Sequence, residues 1–374
     1  MIAASSTVTC NPLRTGACAS GTRSLFHESA RGKWRTRRGG CVKIVVFEGS
    51  ARDREVFGPL AEHHELVFDD DQLTAERAGD YADADIVSPF IHSELDGAVL
   101  DQLKSLKLIA TRSTGYEHID IERCRERGIV VIHVPRYGEE TVAEHVFALL
   151  LALSHHVVEA ANRVQRGEFS LQGMLGFDLF GKTIGIIGTG AIGQHVVRIA
   201  KGFQMHVVAF DVRRDEEAAK QLGFAYVDFD ELLRASDVIS LHVPGGKATY
   251  HMIGAKQFDT MKEGVVVINT SRGSVIDSQA LLHAVAIGRV AAAGLDVLEE
   301  EPVIREEAEL LSSVYTREHD LATLLSDFVM MRLKNVIITP HSAFHTKEAV
   351  DQILDTTADN IAAFLAGAPQ NVVS

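Results

Sequence analysis

Gly188-Thr189-Gly190-Ala191-Ile192-Gly193 sets three glycines at the spacing of a turn that receives a phosphate. An apolar strand at 183–187 leads into it, and a helical stretch runs from it to about Gly202. In that setting the first glycine turns tightly, the second admits a pyrophosphate against the backbone, and the third lets helix and strand pack. The helix N-terminus stabilises the phosphate charge. The next strand ends at Asp211, 18 residues past Gly193, where a carboxylate accepts from ribose hydroxyls. Gly188, Gly190, Ala191, Ile192, Gly193 and Asp211 therefore make a candidate dinucleotide site. A carboxylate at 211 repels a 2′-phosphate, which favours NAD over NADP. Arg213 and Arg214 pull the other way and are read as solvated surface.

Three further segments fall at or near the ends of later strands, where open α/β sheets bind ligands. They are Asn269-Thr270-Ser271-Arg272-Gly273, the stretch from Gly294-Leu295-Asp296 to Glu299-Glu300-Glu301-Pro302, and Thr339-Pro340-His341-Ser342-Ala343-Phe344. With Arg112-Ser113-Thr114-Gly115-Tyr116-Glu117-His118 and the run from Val134-Pro135-Arg136-Tyr137 to Ala143-Glu144-His145, the ordered set resembles the D-isomer-specific 2-hydroxyacid dehydrogenases. Within them it is most similar to the D-lactate dehydrogenase group, over essentially 42–374.

The resemblance implies that Arg272, Glu301 and His341 are the catalytic residues. Chemistry asks for the same types. A 2-oxo acid is an anion with a polarisable carbonyl, so an arginine can grip its carboxylate with two parallel bonds. Hydride arriving at the carbonyl carbon needs a proton delivered to the oxygen, and histidine changes charge near neutral pH. A carboxylate behind the imidazole favours its protonated form. In the family pattern that carboxylate is the Glu before the Pro, hence Glu301 rather than Glu299 or Glu300. By the same resemblance Thr114 and Gly115 hold the substrate carboxylate, while Tyr137 and Phe344 line the pocket, with Phe90 and His92 completing the wall. Val243, Pro244 and Thr249 flank the adenosine, and Thr270, Ser271 and Asp296 lie near the nicotinamide. His341 and His345 stand four apart, but no third ligand accompanies them and no metal site is expected. The implied reaction is NAD-dependent reduction of a 2-oxo acid to a D-2-hydroxy acid. A hydroxypyruvate or glyoxylate reductase remains an alternative, as does a dehydrogenase-like corepressor or scaffold that senses NAD.

The elements that must position these residues alternate strand and helix along the whole body. Strands are expected at 42–47, 65–68, 86–88, 108–110 and 129–134, then at 183–187, 206–210, 238–242, 265–269, 292–296 and 336–339. One long helix is expected over 141–167, apolar in its first half and polar in its second, and another over 346–365. Extra helices are expected at 306–311 and 319–328. The fold class is α/β, with an NAD-binding Rossmann domain and a smaller flavodoxin-like substrate domain that is discontinuous in sequence. The substrate domain is expected over 42–141 and 343–374, and the Rossmann domain over 142–342. A homodimer through the apolar helix starting near Thr141 is expected from the family.

Hydrophobic residues make up 46% of the 374 and charged ones 24%, which excludes wholesale disorder. The longest apolar run, 146–153, is far too short to span a bilayer, and no membrane association is expected. Net charge is −14, but residues 1–41 carry seven Lys and Arg against one acid, Glu28. The remaining body is thus more acidic still, and nucleic-acid binding is not expected of it. Cys124 is the body's single cysteine, too few for a disulfide framework. Residues 1–41 are expected to be a disordered extension, either a transit-like segment or upstream sequence before a true start at 42. The corresponding expectation is a cytoplasmic protein, or a mitochondrial or plastid one if the segment is a transit peptide.

Overall fold

Short runs of β-branched and aliphatic residues can bury both faces of a sheet only when helices cover each side, and this chain builds that arrangement twice. A computed structural model describes residues 41–299 and 321–373. The first sheet holds β1 (Lys43–Val46), β2 (Glu65–Phe68), β3 (Ile86–Ser88), β4 (Leu108–Ala110) and β5 (Val130–Ile132), all parallel, in the order β2-β1-β3-β4-β5. In register, Ile44 sits between Leu66 and Ile86. This is the flavodoxin-like order.

The second sheet contains β6 (Thr183–Ile187), β7 (His206–Phe210), β8 (Ala225–Tyr226), β9 (Val238–Leu241), β10 (Val265–Asn269), β11 (Val290–Leu295) and β12 (Val336–Ile338). Its order, β12-β11-β10-β9-β6-β7-β8, is the Rossmann arrangement with one strand added at an edge. The strand order reverses between β6 and β9, so the crevice beyond their C-terminal ends is where a dinucleotide belongs. β8 is the strand the sequence does not reveal, because two residues carry no periodicity.

The chain returns to the first sheet at its end. In the helix Lys347–Leu365, Leu354, Ala358 and Ile361 pack on Ile44, Val46, Ile86 and Leu108. Ile132 then bridges Val372, and Asn360 Nδ2 donates to the His133 carbonyl at 3.0 Å. Thr346 caps this helix by accepting from the Ala349 amide.

The long helix expected over 141–167 is two helices, Glu139–Ser154 and Val157–Gln165, bent by 61°. The break falls at His155 and at His156, whose φ is +50°. Its cause lies outside the helix: the Ser154 carbonyl accepts the Phe177 amide at 3.0 Å, and Gly176 packs so closely on it that a Cβ would overlap. The apolar face of the first helix, including Val146, Leu149 and Leu150, is buried in this chain's own core against Ile184, Ile186 and Ile268. These side chains are committed to this chain's own core. The exposed apolar surface lies further on, at Val157, Val158, Val164, Phe169, Leu171 and Leu175. The helix expected at 319–328 runs Leu321–Met330, and the one expected at 306–311 lies outside the described residues. Among the described residues no single helix is long and apolar enough to cross a membrane.

Candidate active site

The glycine turn sits at the switch point. Gly188 has φ +95°, and a side chain there would strike the His242 carbonyl at the end of β9. Gly193 lies in the first turn of the helix Ala191–Gly202 and packs on the Gly188 carbonyl, leaving no room for a Cβ. Gly190 meets nothing within 4 Å, so the space beside it is open. It caps the helix without any side-chain hydrogen bond, which leaves the helix N-terminus turned to that space, with Ala191 and Ile192 following. These features fit a pyrophosphate.

Asp211, just past β7, accepts from the Thr189 amide (2.7 Å) and hydroxyl (3.1 Å) through one oxygen, and from the Arg213 amide (2.8 Å) through the other. Burial would raise its pKa, but the bonds from the Arg213 and Thr189 amides and the Thr189 hydroxyl outweigh it and hold the carboxyl below its ordinary value. Arg214 stacks over the Tyr226 ring at 5.8 Å, with Asp228 at 3.5 Å, and Arg213 is exposed. On the adenine side, Val243 borders Gly188, and the Thr249 hydroxyl donates to the Pro244 carbonyl at 2.6 Å.

Three neighbouring strand ends carry the next group. Register pairs Asn269 of β10 with Leu295 of β11, and Leu295 with Ile338 of β12. Asn269 is buried and ties the turn after β10 together. Its Oδ1 accepts from the Ser271 amide and hydroxyl, and its Nδ2 donates to the Arg272 carbonyl at 3.0 Å. Thr270 Oγ1 is buried without a hydrogen-bond partner, which fits a polar group of a bound cofactor. The Arg272 guanidinium packs on Gly115 and its aliphatic stem on Gly245, while the guanidinium donates to the Ser271 carbonyl at 2.8 Å and has Glu117 at 3.9 Å. Gly245 thus gives the Arg272 side chain its close approach.

Asp296 is 1% exposed, and its carboxylate accepts from the Thr339 hydroxyl (2.5 Å) and the Ser342 and Ala343 amides (2.9 Å each). Its backbone carbonyl accepts the His341 amide at 2.9 Å. His341 is held at φ +52°, an uncommon conformation for a residue with a Cβ, maintained by these surrounding bonds. His145, from the helix Glu139–Ser154, adds a bond to Thr339 at 3.0 Å. Asp296 therefore aims the histidine loop.

The first sheet supplies the opposite wall. Tyr137 meets Phe344 edge-on at 6.1 Å, and Phe344 meets Phe90 at 5.8 Å, so the three rings form a continuous apolar surface. Phe90 also stands 6.5 Å from His92. Burial holds the Tyr137 phenol above its ordinary pKa despite the opposing Arg272 charge and its bonds with Thr114, so it stays a neutral donor. Thr114 is fixed by its hydroxyl bond to the Val134 carbonyl at 2.8 Å. Glu48, at φ +53°, accepts the Phe90, His92 and Ser93 amides and so sets the position of this wall.

Arg272, Thr114, Gly115, Tyr137 and Phe344 thus come together in one cleft between the sheets, with His341 three residues before Phe344. Glu300 and Glu301 lie outside the described residues. Glu299 is committed elsewhere, with its Oε1 2.5 Å from His251 Nε2. The sequence reading gave no role to Asn269, His145 or Glu48. Asn269 left a trace as a polar residue closing an apolar strand, and Glu48 left none, because its partners lie more than forty residues away.

Residues 147–343 match the family model for the D-isomer specific 2-hydroxyacid dehydrogenase, NAD binding domain. The chain is 37% identical to the D-lactate dehydrogenase of Escherichia coli over 327 residues, 86% of this chain and 96% of that protein. It is 39% identical to the glyoxylate reductase of Thermococcus litoralis over 300 residues, 78% of this chain and 84% of that one. Its fold is similar to the D-lactate dehydrogenase of Aquifex aeolicus, solved with NAD and lactic acid, with a TM-score of 0.77, 35% identity and coverage of 87% and 96%. Match, fold and cleft agree, and the chain belongs to the D-isomer-specific 2-hydroxyacid dehydrogenase family, with an NAD-binding Rossmann domain.

Proposed function

We propose that the protein reduces a short 2-oxo acid to the D-2-hydroxy acid at the expense of NADH. The observation that carries this reading is the meeting of the Arg272 guanidinium with Gly115 of the 114–115 turn, beside the Tyr137, Phe344 and Phe90 wall. Bound NADH supplies the hydride. Gly190, the helix N-terminus behind it, Asp211 and Thr270 are the residues that hold it. Arg272 binds the substrate carboxylate with two parallel charge-assisted bonds, and the Thr114–Gly115 turn closes on it. The Tyr137 hydroxyl orients the same anion. His341, protonated, donates its proton to the carbonyl oxygen as negative charge develops there. Glu301 supports the imidazolium, and the engagement of Glu299 with His251 supports that assignment by leaving the next acidic positions for the task. The aromatic wall takes the small apolar group of the substrate. The division of labour follows the sheets: 42–141 and 343–374 form the substrate side, and 142–342 the cofactor side.

The same reading takes the protein to be a homodimer through the surface at 157–180. Phe169, Leu171 and Leu175 there are 79%, 82% and 96% exposed, far beyond what isolated surface apolar residues require. The test of the catalytic reading is His341→Ala. Loss of a general acid lowers kcat by roughly 10²–10⁴-fold, with NADH binding retained. Near-normal turnover by this variant sinks the mechanism. NADH binding by the wild type with no turnover of any 2-oxo acid moves the protein to the NAD-sensing class.

A further inference from the structure

We propose that His133 is a positioning residue for the substrate carboxylate, acting through a hydrogen bond from its Nδ1–H to the Thr114 carbonyl. The inference rests on the catalytic reading above and deepens it at the 114–115 turn.

Nδ1 of His133 lies 2.9 Å from the Thr114 carbonyl oxygen. A carbonyl oxygen only accepts, so Nδ1 carries a proton whatever the charge on the ring. That carbonyl belongs to the peptide whose other end is the Gly115 amide. A hydrogen bond to the oxygen of a peptide polarises it, and its N–H becomes a stronger donor. Among the described residues the Gly115 amide donates to no protein acceptor. Gly115 is also where the Arg272 guanidinium packs, 2.9 Å from the place a Cβ would occupy. The donor that His133 strengthens therefore stands beside the arginine that grips the carboxylate.

Two further bonds latch the turn to the segment that carries His133. The Ser113 carbonyl accepts the Val134 amide at 3.0 Å, and the Thr114 hydroxyl donates to the Val134 carbonyl at 2.8 Å. Within the turn, the Ser113 hydroxyl donates to the Gly115 carbonyl at 2.6 Å. His133 is itself held from the other side. Its amide donates to the Asn371 carbonyl at 3.2 Å, and its carbonyl accepts from Asn360 Nδ2 at 3.0 Å. Asn371 Nδ2 closes this circuit by donating to Asn360 Oδ1 at 2.8 Å. Asn360 is 2% exposed, so the circuit is anchored in the packed interior. The imidazole meets the Tyr116 ring edge-on, at 5.6 Å and 86°. Backbone, ring and Nδ1 are all fixed, and they hold the Thr114–Gly115 peptide in one orientation. His133 is neither acid nor base here; it acts through the Gly115 amide.

The carboxylate keeps its charge from bound substrate to transition state, so a bond to it stabilises both alike. Such uniform binding is read in KM and not in kcat. The test is steady-state reduction of a 2-oxo acid at saturating NADH in wild type, His133→Phe and His133→Asn. Phenylalanine keeps a ring against Tyr116 and removes the donor, whereas asparagine removes the ring and offers an amide N–H near the position of Nδ1. The expected result for His133→Phe is a KM for the 2-oxo acid raised about fivefold, the worth of one ordinary hydrogen bond, with kcat and the KM for NADH unchanged. His133→Asn is expected to recover the wild-type KM. His133→Ala, paired with His133→Asn, carries the test where the phenylalanine variant does not fold. A wild-type KM in the variants without a donor overturns the inference, as does a fall in kcat with KM unchanged. A KM raised equally with and without the donor also overturns it, because packing alone is then at work. A wild type with no turnover of any 2-oxo acid overturns the catalytic reading and this inference with it, a failure distinct from the others.

Discussion

Asp211→Asn exchanges one charged oxygen for an amide in the residue proposed above to hold the cofactor's ribose. In the folded protein the carboxylate already accepts three bonds, two from Thr189 and one from the Arg213 amide, and these hold it ionised. Under the proposed reading its remaining lone pairs accept from the ribose diol. A hydrogen bond to a charged acceptor is worth about 1.5–3 kcal/mol, so losing one weakens NADH by roughly 10- to 150-fold. The gain for NADPH is separate. Removing a unit charge about 5 Å from a phosphate near the surface relieves about 3 kcal/mol at an effective dielectric constant of about 20. Arg213, exposed and two residues away, is then placed to meet the phosphate. Together these effects lower the NADH over NADPH preference by at least about 100-fold. The assay is kcat/KM for both cofactors on the same preparation, so that any loss of stability cancels in the ratio. A ratio unchanged within about threefold, a difference of less than 1 kcal/mol, would show that Asp211 does not select the cofactor.

Gly193→Ala and Gly190→Ala should separate fold from binding. The first drives a Cβ into the Gly188 carbonyl and is expected to lower both the melting temperature and NADH affinity, whereas the second meets no protein atom and is expected to lower affinity alone. Calorimetry with and without NADH distinguishes them. Burial drives the His242 imidazole down to about 3, so the folded state resists a proton that the unfolded chain accepts near 6.5. Stability should therefore be intact above about pH 6.5 and fall by about 1.4 kcal/mol per pH unit between there and pH 3. In urea titrations His242→Asn should flatten that slope, and an unchanged slope contradicts the assignment. If the proposed dimer uses this surface, light scattering should show a dimeric wild type and a monomeric Leu175→Asp, while a variant that stays dimeric places the interface elsewhere. Burial raises the Cys124 thiol to about 11, so alkylation of native protein at pH 8 should mark Cys41 and spare Cys124.

Much of the fold was legible because parallel strands are nearly continuous apolar runs with polar punctuation. β6, β7 and β10 run over the residues expected, and Gly128 at φ +70° ends the helix Ile121–Arg127 as a left-handed cap should. Errors arose where distant residues decide. The helix Ala51–Phe57 gives way to a 3-10 turn over Gly58–Glu62, because Pro59 lacks the amide that would continue the ladder. The break after Ser154 depends on Phe177, which no local pattern predicts. In the candidate site, residue types and strand-end positions pointed to Arg272, His341 and the glycine turn. Asn269, Asp296, Glu48 and the His251–Glu299 pair make contacts of up to 48 residues' separation. Spacing carries no signal for such pairs.

The most direct test of the central claim is NADH oxidation by the full chain against glyoxylate, pyruvate, hydroxypyruvate and branched and aromatic 2-oxo acids, with the chirality of each product determined. The account predicts turnover of a short 2-oxo acid, a D-configured product, and loss of that turnover in His341→Ala. An L-configured product, or no turnover by a wild-type protein that binds NADH, would contradict it.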